Sequence, residues 1–320
     1  MRLREFLEGQ SLCVLDIGAR GAPATRFLPL AEHIDLIGFE PDRQECERLN
    51  ASLTSSAWRS AHVLPYAVGE TRQSRPFYTT AAPEVSSLLA PNPRVATRRS
   101  WAVEDVIEID TIALDDLAAQ GELPARTDFM KVDTQGSELE IIRSGENSVL
   151  HQLLGIECEV EFAEFYQEQP RFSEVEQYLR GKGFGTWVLE PAFVRSDLPW
   201  ARKRAAYADV VFLRGAAWLN SQEEESRPLD LVRLVTIYLL YGLFQEALTL
   251  VEDHDPQLTA GILQYYKSIT KPGLRWRLAL LREALGSALS PDPSTRLRLA
   301  RRARTITGPD GQRWPLDPPT

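Results

Sequence analysis

Four short segments set reactive side chains at the ends of apolar runs, and their spacing suggests one composite site. The first is Val14-Leu15-Asp16-Ile17-Gly18-Ala19-Arg20-Gly21, an apolar run that breaks into a glycine-containing turn. Gly18 and Gly21 permit positive φ and let a ligand approach the backbone closely. The second is Gly38-Phe39-Glu40-Pro41-Asp42, whose Glu40 lies 22 residues (40 − 18) beyond Gly18. A carboxylate at the end of the second strand of such a unit can accept both hydroxyls of a ribose. The third, Phe129-Met130-Lys131-Val132-Asp133-Thr134-Gln135-Gly136-Ser137-Glu138, ends an apolar run in a polar cluster. Asp133 at its tip suits proton transfer or orientation of a substrate. Lys131, inside the run, needs a carboxylate partner or a substrate, because a buried unpaired ammonium is costly. Glu138 suits the first turn of a helix. The fourth is Gly155-Ile156-Glu157-Cys158-Glu159-Val160-Glu161-Phe162, where period-two alternation puts Glu157, Glu159 and Glu161 on one face. That face is either solvated or, if the strand is central, turned toward a cleft.

These segments must be held by strands and helices in alternation. Leu12–Ile17, Ile34–Phe39 and His62–Val68 read as strands, with helical pattern around Ala24–Ala31 and over Asp42–Leu53. Asp42 fits a helix N-cap or a first-turn acid. Gly69 to Thr97 reads as irregular, with short strands at Pro76–Thr79 and Val106–Asp110 on either side of its end. A helix at Leu114–Ala119, a strand at Asp128–Val132, a helix from Glu138 and a strand at Leu154–Phe162 follow. A helix over Phe172–Lys182 is closed by Gly183. Phe184–Leu189 and Asp209–Leu213 are the last strands; with no helical segment between them, they can pair antiparallel. The pattern predicts an α/β fold with a mostly parallel sheet covered on both faces.

After Trp218 the pattern turns helical, behind a polar linker at Ser221–Pro228. Leu231, Leu234, Val235 and Tyr238 form one apolar stripe; Phe244, Ala247, Leu248 and Val251 form a second; Leu274, Leu278, Leu281 and Leu285 form a third. The expected domains are residues 1–217 and a helical region, 218–320. Arg296, Arg298, Arg301, Arg302 and Arg304 crowd the helical region. They can pair with the chain's own acidic surface or meet an anionic substrate or partner.

Composition narrows the function classes. The formal net charge of -9 disfavours a nucleic-acid partner, which needs a concentrated positive surface. Cys13, Cys46 and Cys158 are odd in number and scattered, so no disulfide framework is expected and the thiols suit a reducing compartment. His33, His62, His151 and His254 show no zinc spacing, and no metal site is expected. The sequence shows neither a signal peptide nor an apolar run of the roughly 20 residues that span a bilayer. A soluble, cytoplasmic protein is the expectation.

Together the segments resemble the FkbM family of methyltransferases. The resemblance rests on Asp16-Ile17-Gly18-Ala19-Arg20-Gly21, Phe39-Glu40-Pro41, Ala67-Val68-Gly69, Ser86-Ser87-Leu88, Asp110-Thr111-Ile112 with Leu114–Leu117, and Lys131 to Glu138. It continues through Glu157–Phe162, Phe165-Tyr166 and the Phe172 helix, and covers roughly residues 12 to 214. It implies a class I methyltransferase fold, Rossmann-like, with a mostly parallel seven-stranded sheet and an α-helical C-terminal extension. It also implies S-adenosylmethionine as cofactor and O-methylation of a hydroxyl on a sugar or glycan precursor or other small molecule. By that pattern Asp16, Gly18, Ala19 and Gly21 hold the methionine portion. Glu40, with Pro41 and Asp42, holds the ribose, and Ala67 and Val68 lie near the adenine. Asp133 is the implied catalytic residue, with Lys131 and Glu159 beside it. Arg20 departs from the pattern, which commonly has asparagine or another small polar residue there. An NAD-dependent dehydrogenase is disfavoured because Asp16 replaces the first glycine of the dinucleotide signature. A non-catalytic binding or scaffold protein that uses its helical region for partners is the alternative, and self-association through that region is a further expectation.

Overall fold

The computed structural model describes residues 2–21, 24–53, 57–94, 99–194, 204–251 and 255–270. The third helical stripe and the arginine cluster lie outside the described residues.

Ten strands form two sheets. Seven of them are β1 (Leu12–Ile17), β2 (Ile34–Phe39), β3 (Ser60–Leu64), β7 (Phe129–Val132), β8 (Gly155–Glu161), β9 (Gly185–Val194) and β10 (Arg204–Leu213). They build one sheet in the order β3-β2-β1-β7-β8-β10-β9. All neighbours are parallel except β10, which runs antiparallel to both β8 and β9. This is the class I methyltransferase architecture. Every residue of β1 is buried, as a central parallel strand covered on both faces requires. The chain lays β1, β2 and β3 outward in one direction and resumes with β7 on the other side of β1. The carboxyl ends of β1 and β7 therefore flank the topological switch point, where open α/β sheets bind ligands.

Three strands make the second sheet: β4 (Ala67–Val68), β5 (Gln73–Thr80) and β6 (Val103–Ile112), in the order β4-β6-β5. Here the structure corrects the sequence reading. His62–Val68 is not one strand: Pro65 cannot donate to a ladder, and the chain leaves the large sheet there to start the small one. The stretch from Gly69 is also more regular than expected, because β5 and β6 pair antiparallel over nearly their whole lengths.

Helices α1 (Arg43–Leu53), α2 (Leu114–Ala119), α3 (Glu138–Ser144), α4 (Phe172–Gly181) and α5 (Ala216–Asn220) complete this part. Asp42 caps α1, accepting the N–H of Gln44 at 3.0 Å and of Glu45 at 3.3 Å. Gly183 follows α4 at φ 85°, the left-handed residue that ends helices. The segment expected to be helical near Ala24 is a 3-10 helix, Thr25–His33, with Pro29 inside it. Proline offers no N–H for a regular α-helical ladder. Core residues include Leu15, Ile17, Met130, Val132, Ile156, Cys158 and Phe212.

Helices α6 (Arg227–Leu240), α7 (Phe244–Val251) and α8 (Pro256–Thr270) follow. The chain divides into two compact units, Leu7–Ile237 and a second made of Met1–Phe6 with Tyr238–Thr320. Within the second, Tyr265 packs edge-on to Phe6 (ring centroids 6.0 Å apart) and against Phe244 (5.9 Å). No helix among the described residues is long and apolar enough to cross a membrane.

Candidate active site

The register of the large sheet sets the polar residues in rows. Asp16 on β1 lies opposite Lys131 on β7, which lies opposite Glu157 on β8. One pleat nearer the carboxyl end of β8, Glu159 lies opposite Asp209 on β10, itself opposite Glu190 on β9. Residues directly opposite share a face. Glu161 is buried and Glu159 half-buried, so the solvated-face alternative does not describe them.

Those two carboxyls line a cavity of about 920 Å³ at the switch point. Of the residues singled out in the sequence, Gly18, Glu40, Pro41, Asp42, Ala67, Val68, Asp133 and Glu159 also line it. Asp16, Ala19, Gly21 and Lys131 are not among the lining residues. Asp16 is fully buried; its carboxylate accepts the Ala24 N–H at 2.5 Å and lies 3.4 Å from Lys131 Nζ. It ties the turn after β1 to β7. Lys131 thus has the carboxylate partner its burial demands, with Asp133 as a second at 3.8 Å. Burial works against its charge, but Asp16, Asp133 and Glu157 together hold its pKa above the ordinary lysine value. The Gly21 N–H donates to Glu45 at 3.2 Å.

Gly18 shows why the turn needs glycine. Its φ is 85°, and a Cβ there would sit 2.0 Å from the Asp133 carbonyl oxygen. The Asp133 N–H in turn donates to the Ile17 carbonyl at 3.0 Å. The two turns are in backbone contact, so Asp133 is placed by β1 as much as by β7.

At the cofactor-sized end, Glu40 is buried and its Oε1 accepts the Asp42 N–H at 2.9 Å. Arg20 pairs with Glu40 at 3.3 Å and Asp42 at 2.9 Å. Burial raises the pKa of Glu40, opposed by the Asp42 N–H and Arg20; the Arg20 bond holds Asp42 below its ordinary value. A carboxylate between an apolar edge (Ala67, Val68) and a glycine turn is a donor set that suits a nucleoside bearing a ribose.

At the other end, Asp133, Glu159 and Glu161 face a wall from the small sheet and neighbouring loops. Trp101 stacks on Phe165 (centroids 5.5 Å apart) and packs against Tyr166 at 5.2 Å. Tyr207, opposite Glu161 in the register, extends it. Burial first, then Asp133, Glu138 and Asp209, push Glu159 from 4.5 to about 8. Glu161 moves in the same direction through burial and the charges of Glu138 and Glu159. Burial also raises Glu138, the first residue of α3, which accepts the N–H of Thr134 at 2.8 Å and of Gly136 at 3.0 Å.

Trp101 and Tyr207 carried no signal in the sequence, because each sits in a stretch without a motif. Gln135 was visible only as a letter of the third segment, yet it lies at the centre of the cavity wall. Among the described residues, no group of three or more histidine, cysteine, aspartate or glutamate side chains is arranged to hold a metal.

A family model described as "Methyltransferase FkbM domain" matches residues 16–185, more than half of the chain. The protein belongs to the FkbM methyltransferase family. Its methyl donor is S-adenosylmethionine, and residues 16–185 contain every cavity residue named above except Tyr207. Comparison with curated proteins finds no match. Similar solved structures include precorrin-6y C5,15-methyltransferase from Geobacter metallireducens GS-15 (12% identity, TM-score 0.32, covering 66% of this chain and 86% of that one). Magnesium protoporphyrin IX methyltransferase from Synechocystis PCC 6803 with bound SAM is similar at 8% identity and TM-score 0.33, covering 67% and 76%. An rRNA methylase from Streptococcus thermophilus is similar at 11% and 0.34, covering 66% and 93%.

Proposed function

We propose that this enzyme transfers a methyl group to a hydroxyl oxygen of an uncharged small-molecule or glycan acceptor. The observation that carries the proposal is the cavity itself: one space joins Glu40, a ribose acceptor, to Asp133 and Glu159, two proton acceptors at neighbouring strand ends. In this reading Gly18 and Ala19 shape the turn over the methionine portion of the cofactor, with Asp16 and Gly21 holding that turn. Glu40 binds the ribose, with Pro41 and Asp42 beside it, and Ala67 and Val68 border the adenine. Lys131 pairs with both Asp16 and Asp133. The bound cofactor supplies an electrophilic methyl on a sulfonium; the chain's residues hold the acceptor oxygen in line and take its proton.

The lining favours an uncharged acceptor. Glu84, Glu104, Asp133, Glu159 and Glu161 face the cavity, and its lining cation, Arg20, is already engaged by Glu40 and Asp42. A phosphate or carboxylate on the acceptor would find a ring of carboxyls and no lining guanidinium that is not already paired, which disfavours nucleic acid and nucleotide-linked sugars. Trp101, Phe165 and Tyr166 offer flat apolar faces suited to a sugar ring or an aromatic ring. We assign this chemistry to residues 1–217, acceptor delivery or self-association to 218–320, and action to the cytoplasm.

Calorimetry tests the reading. Purified protein binds S-adenosylmethionine and S-adenosylhomocysteine and shows no heat with NAD. Absence of binding to both adenosyl compounds would sink the proposal.

A further inference from the structure

Gln135 is the residue the cavity singles out beyond these roles. Its φ is 61°, a left-handed conformation that a glutamine adopts only under strain. Such strain persists only where the surroundings over-determine it, and here they do. The Gln135 carbonyl accepts the Ser87 hydroxyl at 2.7 Å. Its side-chain Oε1 lies 3.0 Å from the Tyr166 hydroxyl, whose single hydrogen is shared between it and the Val85 carbonyl at 2.8 Å. Tyr166 is fully buried. Gly136 follows at φ 105°, with the Tyr166 ring 3.1 Å from where a Cβ would stand. The amide is therefore clamped at its oxygen end. Its nitrogen end, with two hydrogens, faces Asp133 Oδ1 and Glu159 Oε1, each at 3.0 Å.

We propose that Gln135 is the positioning residue of methyl transfer, its amide nitrogen binding Asp133 and Glu159 into one proton-accepting pair; this rests on the function proposed above. The two carboxyls come from neighbouring strands whose pairing sets the two backbones in register, but no backbone element fixes one side chain against the other. One nitrogen that donates to both does so. In the reaction, the bond from the acceptor oxygen to the methyl carbon forms as the carbon–sulfur bond breaks. The electron pair returns to sulfur, and the hydroxyl proton passes to the pair. The amide also favours the ionised form of Glu159 and opposes the burial and the charges that raise it. The charges are those of Asp133 just after β7, Glu138 on α3 and Asp209 on β10, with Glu161 next along the same face of β8. Lys131 is the cation nearest Asp133. Tyr207 and Tyr166 face the same carboxyls as neutral groups.

The test is carbon-13 NMR titration of the Glu159 carboxyl in the full chain without cofactor. Gln135→Gly removes the amide while tolerating the left-handed backbone. The wild-type midpoint near 8 is expected to rise by about one unit in the variant, a tenfold change in proton affinity. Gln135→Asn, which also tolerates that backbone but is one methylene short of spanning both carboxyls, should raise it as well. Circular dichroism melts establish that at least one variant folds. A midpoint unmoved by more than a few tenths of a unit in the folded variant overturns the proposal. Failure of wild type to bind S-adenosylmethionine in calorimetry would instead overturn methyl transfer, and leaves the titration result readable by itself. With an acceptor in hand, the acid limb of kcat should shift upward with the midpoint while KM for S-adenosylmethionine holds.

Discussion

At the scale of single residues, the proposed function gives Glu40 the ribose and Asp133 the acceptor. Glu40 is buried, and its carboxyl is bonded by an N–H and a guanidinium that oppose the rise burial imposes on its pKa. Glu40→Ala should weaken S-adenosylhomocysteine binding by roughly 10- to 150-fold, the loss of about 1.5–3 kcal/mol expected for a hydrogen bond to a charged group. Calorimetry reads this directly, and an unchanged Kd removes the ribose role. Asp133→Asn keeps shape and polarity but removes basicity. Turnover should fall by roughly 10²–10⁴-fold with cofactor affinity near wild type. Near-normal turnover in that variant would leave Asp133 as an orienting group only, and Glu159→Gln becomes the variant to assay next.

At the scale of elements, the strand ends had to be pinned from below. Arg126, just before β7, bonds Asp128 at 2.7 Å and Asp230 on α6 at 2.6 Å, and both aspartates are almost fully buried. Asp128 also accepts the Cys13 N–H at 2.8 Å, locking β7 to β1. Arg126→Ala removes the guanidinium from buried Asp230 and leaves Asp128 with only the Cys13 N–H and Arg233, and should cost about 3 kcal/mol of unfolding free energy in urea titration. A loss under about 0.5 kcal/mol would show that the pairs are solvent-compensated. These elements also mark how far the sequence could be read. The strands of the large sheet were legible because continuous apolar runs such as LCVLDI occur where both faces are covered. Glu40 and Asp133 were legible because each ends such a run. The small sheet was not: β6 is exposed along most of its length, so period-two burial leaves no imprint, and β5 and β6 are joined by a long connection rather than a tight turn. Asp16 and Lys131 were legible as important but not as a pair, since only register sets β1 beside β7. Gln135 was hidden because its role depends on a backbone angle and a distant tyrosine.

At the scale of the whole molecule, the buried carboxyls should leave a mark on stability. Glu159 titrates near 8 folded and near 4.5 unfolded, chiefly because burial disfavours its charge. Between those values the folded state binds more protons, so unfolding free energy falls as pH rises from about 4.5 through about 8. The stability it contributes is present below pH 4.5 and lost above 8. Glu161 and Glu138 act in the same direction. Exposed pairs such as Glu45 with Arg48 act oppositely, but that contribution is complete above pH 5. Urea titrations should therefore show greater stability near pH 5.5 than near pH 8.5, and Glu159→Gln should flatten the slope. A flat wild-type profile would mean the cavity is well hydrated.

The separation of the molecule into two sheets carries one more consequence. Glu40, Asp133 and Glu159 hang on the large sheet, whereas Phe77, Thr79 and Ile107 of the cavity wall come from β5 and β6. The segment meets the rest of the chain at a limited set of joints: β4, the Arg75–Glu140 pair, the contacts of Val85, Ser87 and Trp101 with Gln135, Phe165 and Tyr166, the Pro91–Tyr166 bridge and the strand that runs into α2. A lineage could thus rewrite residues 70–110 to suit a new acceptor while its inheritance from β1, β2 and β7 stayed intact. Grafting that segment from another family member should accordingly transplant acceptor preference and leave the Kd for S-adenosylmethionine where it was.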